Sequence, residues 1–136
     1  MLKPRTLAVL VVIAHWIVAI WHLFLAANIL PAPNNNVSWL AIILISSGHL
    51  CVSLALWKLS DKLAGTVSLI FFLCALGADF YEHFLHPSLN NIFMVASGSG
   101  TAWFDASVFG LLALEILACS LGVLLLGGWP TPRTAI

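Results

Sequence analysis

Charged residues are scarce in this chain: 7% of its 136 residues are Asp, Glu, Lys or Arg, whereas 62% are hydrophobic. A soluble domain carries roughly 25% charged residues, so the composition excludes an ordinary soluble domain and indicates a polytopic membrane protein. The formal net charge is zero, and no run of basic residues occurs. Because nucleic-acid-binding proteins present basic patches, we expect no nucleic acid among the partners.

Cysteine pairs are also lacking. The chain has three cysteines, Cys51, Cys74 and Cys119, and none of them belongs to a Cys-x-x-Cys motif. Each lies alone among apolar residues, and an odd number cannot all pair within one chain. We therefore interpret them as small apolar packing residues rather than as disulfide or metal ligands.

Basic residues are missing from four long apolar segments, each close to the roughly 20 residues that a helix needs to cross the hydrocarbon core. The segments run approximately over residues 7–30, 37–57, 63–85 and 103–126. We predict an all-α protein, an up-down four-helix transmembrane bundle that forms one domain over residues 1–136. The apolar stretch of the first segment is longer than the apolar core of a signal peptide, which has about 7–15 residues. We therefore expect the first segment to be a retained span.

The few basic residues indicate an orientation. If the helices alternate in direction, all five lie on one side: Lys3, Arg5, Lys58, Lys62 and Arg133. The loops on the other side, 31–36 and 87–102, contain no Lys or Arg. The positive-inside rule then predicts that both termini are cytoplasmic, in an integral membrane protein, which we expect in a bacterial inner membrane.

Histidines and carboxylates lie within these apolar segments or at their ends, where each ionisable group costs about 2.5–3.5 kcal/mol on insertion scales. Such residues usually face a bundle interior and mark a functional site. No Lys or Arg within the segments could neutralise the acids. The residues are His15, His22, His49, His83, His86, Asp79, Glu82, Asp105 and Glu115.

The first group lies toward the outer side. Asp79, Glu82, His83 and His86 have the spacing i, i+3, i+4 and i+7, which places them on one face of a regular helix. Imidazoles and carboxylates spaced in this way can chelate Zn, Cu, Fe or Mn, as in bundles with Glu-x-x-His motifs. We predict a transition-metal site with His22, Asp79, His83 and His86 as ligands. Glu82 and Asp105 are its expected partners.

The second group lies near the midplane. A rise of about 1.5 Å per residue places His15 about 12 Å into the first span, and His49 and Glu115 each about 18 Å into theirs. Histidines at matching depth on adjacent helices are typical of bis-histidine haem b, so His15 and His49 are candidate cofactor ligands. A carboxylate at the same level argues against a porphyrin and instead favours a proton relay or an acid–base pair.

Three functional classes remain open. The first is a metal or haem centre of a membrane enzyme, redox or hydrolytic, with its site opening toward the outer face. The second is a metal-free acid–base isomerase, cyclase or hydrolase acting on a lipid or terpenoid, which would need no cofactor. Its catalytic residues would come from Asp79, Glu82, Asp105 and Glu115. The third is a proton- or cation-coupled transporter or an accessory subunit.

The expected partners are the lipid bilayer and an apolar small molecule. A homo-oligomer or a larger membrane complex is a further expectation, because the fourth span has a face of small residues that would permit close packing. That face consists of Gly110, Ala113, Ala118 and Gly122. The outer loop, residues 87–102, is either a cover over the bundle end or a plain connector.

Overall fold

The computed structural model describes residues 3–29, 38–95, 97–98 and 100–127. The helices are α1 (Pro4–Ile29), α2 (Trp39–Lys58), α3 (Asp61–Phe80) and α4 (Thr101–Gly127), and a π-helical turn, Tyr81–Leu85, continues α3. Four helices are long and apolar enough to cross a membrane, which confirms the predicted all-α fold. When the π-helical turn is counted with α3, the observed helix ends differ from the predicted ones most at the start of α1, which begins at Pro4. Proline is favoured in the first turn because that turn needs no N–H donor.

Helix ends meet at one end of the protein, where Arg5 ties α1 to the turn between α2 and α3. Its guanidinium donates to the carbonyl oxygen of Leu59 (2.7 Å) and pairs with Asp61 (2.6 Å). Lys3, Lys58 and Lys62 belong to the same end, since they flank these helix termini. We call this end the basic end. Arg133 and the loop 31–36 lie outside the described residues.

Neighbouring helices run in opposite directions. Helix α1 packs against α2 and α4, and α3 packs against the same two helices, most closely against α4. Gly65 faces Gly122, so the start of α3 lies beside the end of α4 at the basic end. The start of α1 lies beside the end of α2 in the same way. The four helices therefore alternate up and down around a common interior.

The close approach of α3 to α4 depends on glycine. A Cβ atom added at Gly65 would lie 2.8 Å from the carbonyl oxygen of Gly122 and 2.9 Å from Cβ of Leu125. The first of these is a backbone atom, so a longer side chain cannot be accommodated by a change of rotamer. Helix positions would have to shift.

We expect Gly65→Ala to lower the free energy of unfolding by about 1–3 kcal/mol, the usual cost of overpacking. Gly77→Ala is the matched control on the same helix, because nothing lies within 4 Å of its added Cβ. Alanine also favours the helix by roughly 1 kcal/mol relative to glycine, so the control should be neutral or stabilising. Titration with SDS from mild detergent would measure both, and equal midpoints for the two variants would contradict the packing argument.

The face of small residues predicted to bind another subunit lies partly inside this chain. Ala118 and Gly122 are buried, and Gly122 packs against α3, whereas Ala113 is exposed. The expectation that all four residues form an external face is wrong, because Gly122 is buried against α3. Small residues at a crossing between two helices allow the two backbones to approach closely. At Gly122 the two helices, α3 and α4, belong to the same chain.

Two apolar clusters fill the interior. The cluster toward the basic end joins all four helices and includes Val12, Val52, Phe72 and Leu121. The cluster at the opposite end includes Ala26, Phe104 and Val108, with Phe84 and Ile92 packed against them. Along α1 and α4, the buried His15 and Glu115 lie between the buried residues of the two clusters. The apolar core is thus interrupted by polar groups near the middle of the helices.

The loop after α3 folds back on the helix end. The N–H of Ile92 donates to the carbonyl oxygen of His83 (3.0 Å), and the side-chain amide of Asn91 donates to that of His86 (2.9 Å). Asn91 is buried, while Phe93 and Met94 are exposed. The described part of this loop therefore covers the end of the bundle opposite the basic end.

Candidate functional site

Four ionisable side chains from four different helices meet near the middle of the protein. His15 of α1, His49 of α2 and Glu115 of α4 are buried, with Glu115 at 0% exposure, and Asp79 of α3 is half-buried. We call these four residues the inner cluster. The prediction from depth that His15, His49 and Glu115 share one level is confirmed by their direct contacts.

A backbone carbonyl sets the direction of the hydrogen bonds in this cluster. His49 donates from Nδ1 to the carbonyl oxygen of Ile45 (2.6 Å), which can only accept. The Nε2 atom of a neutral His49 is then an acceptor, so His15 donates to it from Nδ1 (2.7 Å). A neutral His15 consequently presents its Nε2 lone pair to Oε1 of Glu115, 3.1 Å away. The tautomers of both rings follow from one carbonyl group.

Asp79 brings a second carboxyl group to Glu115. His15, Asp79 and Glu115 each offer one ligand atom, and these atoms all lie within 4.8 Å of one another. The Oε2 atom of Glu115 is buried, and no donor among the described residues forms a hydrogen bond to it. Two bare carboxylates repel strongly at such distances away from water, so a proton or a cation has to lie between them.

A cavity of about 380 Å³ leads to the inner cluster. Its mouth lies between α2 and α3, where Leu44 and Cys74 are exposed on the surface of the protein. Its walls are mainly apolar, and its lining residues are His15, Ala19, Leu44, Ile45, His49, Phe71, Cys74, Ala75, Asp79 and Glu115. We call it the α2–α3 cavity. It connects the carboxyl pair with the outer surface of the helices.

A second pair of histidines lies farther from the basic end. Ser107 donates its hydroxyl to the carbonyl oxygen of Phe104 (2.6 Å), so His22 donates from Nδ1 to the Ser107 oxygen (2.8 Å). His83 donates from Nδ1 to the carbonyl oxygen of Asn90 (2.9 Å). The two imidazole rings are nearly perpendicular, with centroids 4.8 Å apart. Both are buried, and in their neutral forms both keep Nε2 as an acceptor.

The remaining predicted residues lie apart from both groups. Glu82 accepts from His86 (3.1 Å) and from Ser88 (2.8 Å), and the side chains of Glu82 and His86 are 37% and 44% exposed. Asp105 is half-buried, and within the described ranges its Oδ1 has no hydrogen-bond partner. These three side chains line the end of the bundle rather than its middle.

The π-helical turn explains why the predicted stripe of four residues is not one site. The N–H of His86 bonds to the carbonyl oxygen of Tyr81 (2.7 Å), five residues back rather than four. The wider turn changes the angle between successive side chains, so the spacing of a regular helix no longer holds after Phe80. Asp79, which precedes this turn, lies in the inner cluster, whereas the ring of His83 contacts that of His22 and Glu82 pairs with His86.

The inner cluster does not fit a bis-histidine haem. A metal–nitrogen bond is about 2 Å long, so an iron between two axial imidazoles would hold their nitrogen atoms about 4 Å apart. The facing nitrogens of His15 and His49 are 2.7 Å apart and share a hydrogen bond. No porphyrin plane can lie between rings in this arrangement.

Sequence reasoning missed three features of the site. Ser107, which orients His22, gave only the weak signal of a hydroxyl within an apolar segment. The assignment of Asp79 to the inner cluster had a usable signal, because Asp79 lies one helical turn, about 6 Å, deeper than His83. The carbonyl of Ile45 carried no signal in the sequence.

The sequence matches no protein-family model, and no curated protein and no solved structure is significantly similar to it. The function of the inner cluster therefore has to follow from its own geometry and chemistry.

Proposed function

We propose that the inner cluster is the divalent metal centre of a membrane enzyme, with His15, Asp79 and Glu115 as ligands. One observation carries the proposal: the hydrogen bonds through His49 leave the Nε2 lone pair of His15 directed at a carboxylate oxygen. Metal-binding histidines usually donate their other N–H to a neighbouring acceptor, which fixes the tautomer and orients the ring. His49 would serve as that acceptor.

The distances within the cluster suit one ion. Two ligand atoms that each lie about 2.1 Å from a metal, at an angle of about 95–110°, are about 3.1–3.4 Å apart. The separation between His15 Nε2 and Glu115 Oε1 is 3.1 Å. The carboxylate of Asp79 lies within reach as a third ligand. Imidazole combined with carboxylate is a ligand set that Zn, Fe, Mn and Cu(II) accept.

Charge balance supports a divalent ion. Two carboxylates carry two negative charges, and a divalent cation would make the cluster neutral. The residues from 6 to 57 and from 63 to 132 include no Lys or Arg that could do the same. An uncompensated charge at this depth in a bilayer is expensive, so neutrality is a strong requirement there.

Three protein ligands leave a coordination position open, as catalytic zinc sites do. The α2–α3 cavity meets the cluster at Asp79 and Glu115, so a substrate would arrive beside the carboxylates. When bound, the ion would supply Lewis-acid or redox chemistry. The protein would contribute the orientation of His15 through His49, the charge balance through the two acids, and apolar walls that exclude water.

The orientation in the membrane follows from the same chain. Four basic residues lie at the basic end, beside the start of α1 and the end of α2. By the positive-inside rule this end is cytoplasmic, in what we propose is a bacterial inner membrane. Helix α1 begins and α4 ends at the basic end, so the proposed orientation has both termini on the cytoplasmic side.

Elemental analysis of the protein purified in mild detergent tests the metal proposal. We expect about one equivalent of Zn, Fe, Mn or Cu per chain, and recovery of that content when chelator-treated protein is reloaded with the same metal. The variant Glu82→Gln/His86→Leu is the matched control, because it removes an acid and an imidazole outside the inner cluster. Folded protein that contains no metal and cannot be reloaded would overturn the proposal.

Acid–base catalysis without a metal is the second candidate. The observation in its favour is the adjacent pair of carboxyl groups, Asp79 and Glu115, at the inner end of an apolar cavity. A proton shared by two such groups can be donated to an apolar substrate and returned. In that case Asp79→Asn would abolish turnover of an apolar substrate by protein that contains no metal.

A further inference from the structure

We infer that the substrate of the inner cluster is a neutral, oxygen-bearing molecule with a hydrocarbon chain, which enters from the bilayer between α2 and α3. The inference rests on the proposed catalytic function of the same cluster. It adds the class of substrate and the route that the substrate takes.

The route follows from where the cavity reaches the surface. Leu44 of α2 is 63% exposed, and Cys74 of α3 is also exposed, so the mouth opens on the side of the bundle. This side faces lipid in a protein whose helices cross the membrane. The far wall is Ala19 of α1, which is buried. A molecule that reaches Ala19 has therefore passed between α2 and α3.

The two ends of the described bundle offer no comparable route. Toward the basic end, the apolar cluster closes the interior with Leu56 and Phe72, both at most 1% exposed. Toward the other end, Phe104 is fully buried and the loop that contains Ile92 packs on it. A smaller cavity of about 210 Å³ between α1 and α2 reaches His49 but neither carboxyl group.

The shape and lining of the cavity indicate an apolar substrate. Its volume, about 380 Å³, lies within the usual range of ligand sites, about 300–1,000 Å³. Leu44, Ile45, Phe71 and Ala75 supply apolar walls along the way to the acids. A polar head would lie at the carboxyl groups while part of its hydrocarbon chain stays in the lipid.

Charge excludes anionic heads. Asp79 and Glu115 end the cavity, and no Lys or Arg occurs in the sequence between residues 63 and 132. With a divalent ion the cluster is already neutral, so a phosphate or a free carboxylate would add an uncompensated negative charge away from water. Without the ion, the same head would meet like charge and no cationic side chain. A hydroxyl, aldehyde, ketone or ester oxygen can instead bond to the carboxyl groups or take the open position at the ion. Long-chain and isoprenoid alcohols and aldehydes belong to this class.

Photolabelling in lipid nanodiscs tests the inference. The probe is a hexadecanol derivative that carries a diazirine close to its hydroxyl group, and adducts are mapped by mass spectrometry. We expect adducts at Ala19 and Asp79 that excess hexadecanol suppresses. Ala75→Trp, which fills the cavity, should reduce them at least about tenfold. Ala113→Trp is the control, because Ala113 is exposed on α4 and does not line the cavity.

If Ala75→Trp does not fold, Leu44→Trp at the mouth replaces it. Adducts confined to exposed residues, or equal adducts at Ala19 in the blocked and unblocked proteins, would overturn the inference. Metal content measured on the same samples separates the two proposals. Internal adducts in a protein that binds no metal would support the route and overturn the metal centre. A loaded metal centre without internal adducts would support the metal centre and overturn the route.

Discussion

Glu115→Gln and Asp79→Asn should each lower the affinity for the divalent metal by about two to three orders of magnitude. Each substitution keeps the shape of the side chain and removes one negative charge. The cluster with a bound divalent ion would then carry a net positive charge far from water. An uncompensated buried charge costs about 3–5 kcal/mol, and about 1.4 kcal/mol corresponds to a factor of ten in affinity.

Competition with a chelator of known affinity would measure the effect in detergent. Asp105→Asn and Glu82→Gln are the controls, since both remove a carboxylate from the same protein but outside the inner cluster. We expect the affinities of both controls to stay within a factor of about three of the original, as for substitutions away from a site. Loss of affinity in all four variants would indicate a general effect of charge, and unchanged affinity in the first two would exclude Asp79 and Glu115 as ligands.

His49→Leu should lower the metal affinity by about 10–100-fold, as is typical when the partner of a metal-binding histidine is removed. Leucine cannot accept the N–H that His15 directs at His49 from 2.7 Å away. The buried N–H would lose this acceptor, and the ring of His15 could then adopt the other tautomer. The ligands themselves stay in place, so the effect should be smaller than that of either carboxylate substitution.

The variant His49→Gln distinguishes an effect on the tautomer of His15 from a merely structural role of His49. If His49 acts through the tautomer of His15, His49→Gln should retain more affinity than His49→Leu, because its amide oxygen can accept the same N–H. X-ray absorption of the metal-loaded original protein, His49→Leu and His49→Gln should show one nitrogen and at least two oxygen ligands in each. Equal affinities for the original protein and His49→Leu would show that the contact with His15 does not orient a ligand.

These two predictions separate the roles of the four residues in the inner cluster. In the proposed metal centre, Asp79 and Glu115 would balance the charge of the ion, His15 would donate a nitrogen lone pair, and His49 would orient the ring of His15. The carbonyl of Ile45 completes the chain by fixing the tautomer of His49. A graded loss of affinity, largest for the acids and absent for the peripheral pair Glu82 and His86, is the expected signature of this arrangement.

Several features could be predicted from the sequence because they depend on local order along the chain. Apolar length defines the four helices, and Lys3, Arg5, Lys58 and Lys62 mark one end of them. The regular helical rise converts residue number into depth, which placed His15, His49 and Glu115 at one level. Their hydrogen bonds agree with that placement.

Other features were decided only by the tertiary structure. The π-helical turn after Phe80 breaks the regular spacing, so Asp79 and His83 point to different partners although they lie four residues apart. Gly122, one of the four small residues of α4, packs against α3 within the chain, because Gly65 approaches it closely. Composition and periodicity show that polar groups lie in apolar helices. Which groups meet, and where a cavity reaches them, depends on helix rotation and on packing between distant segments.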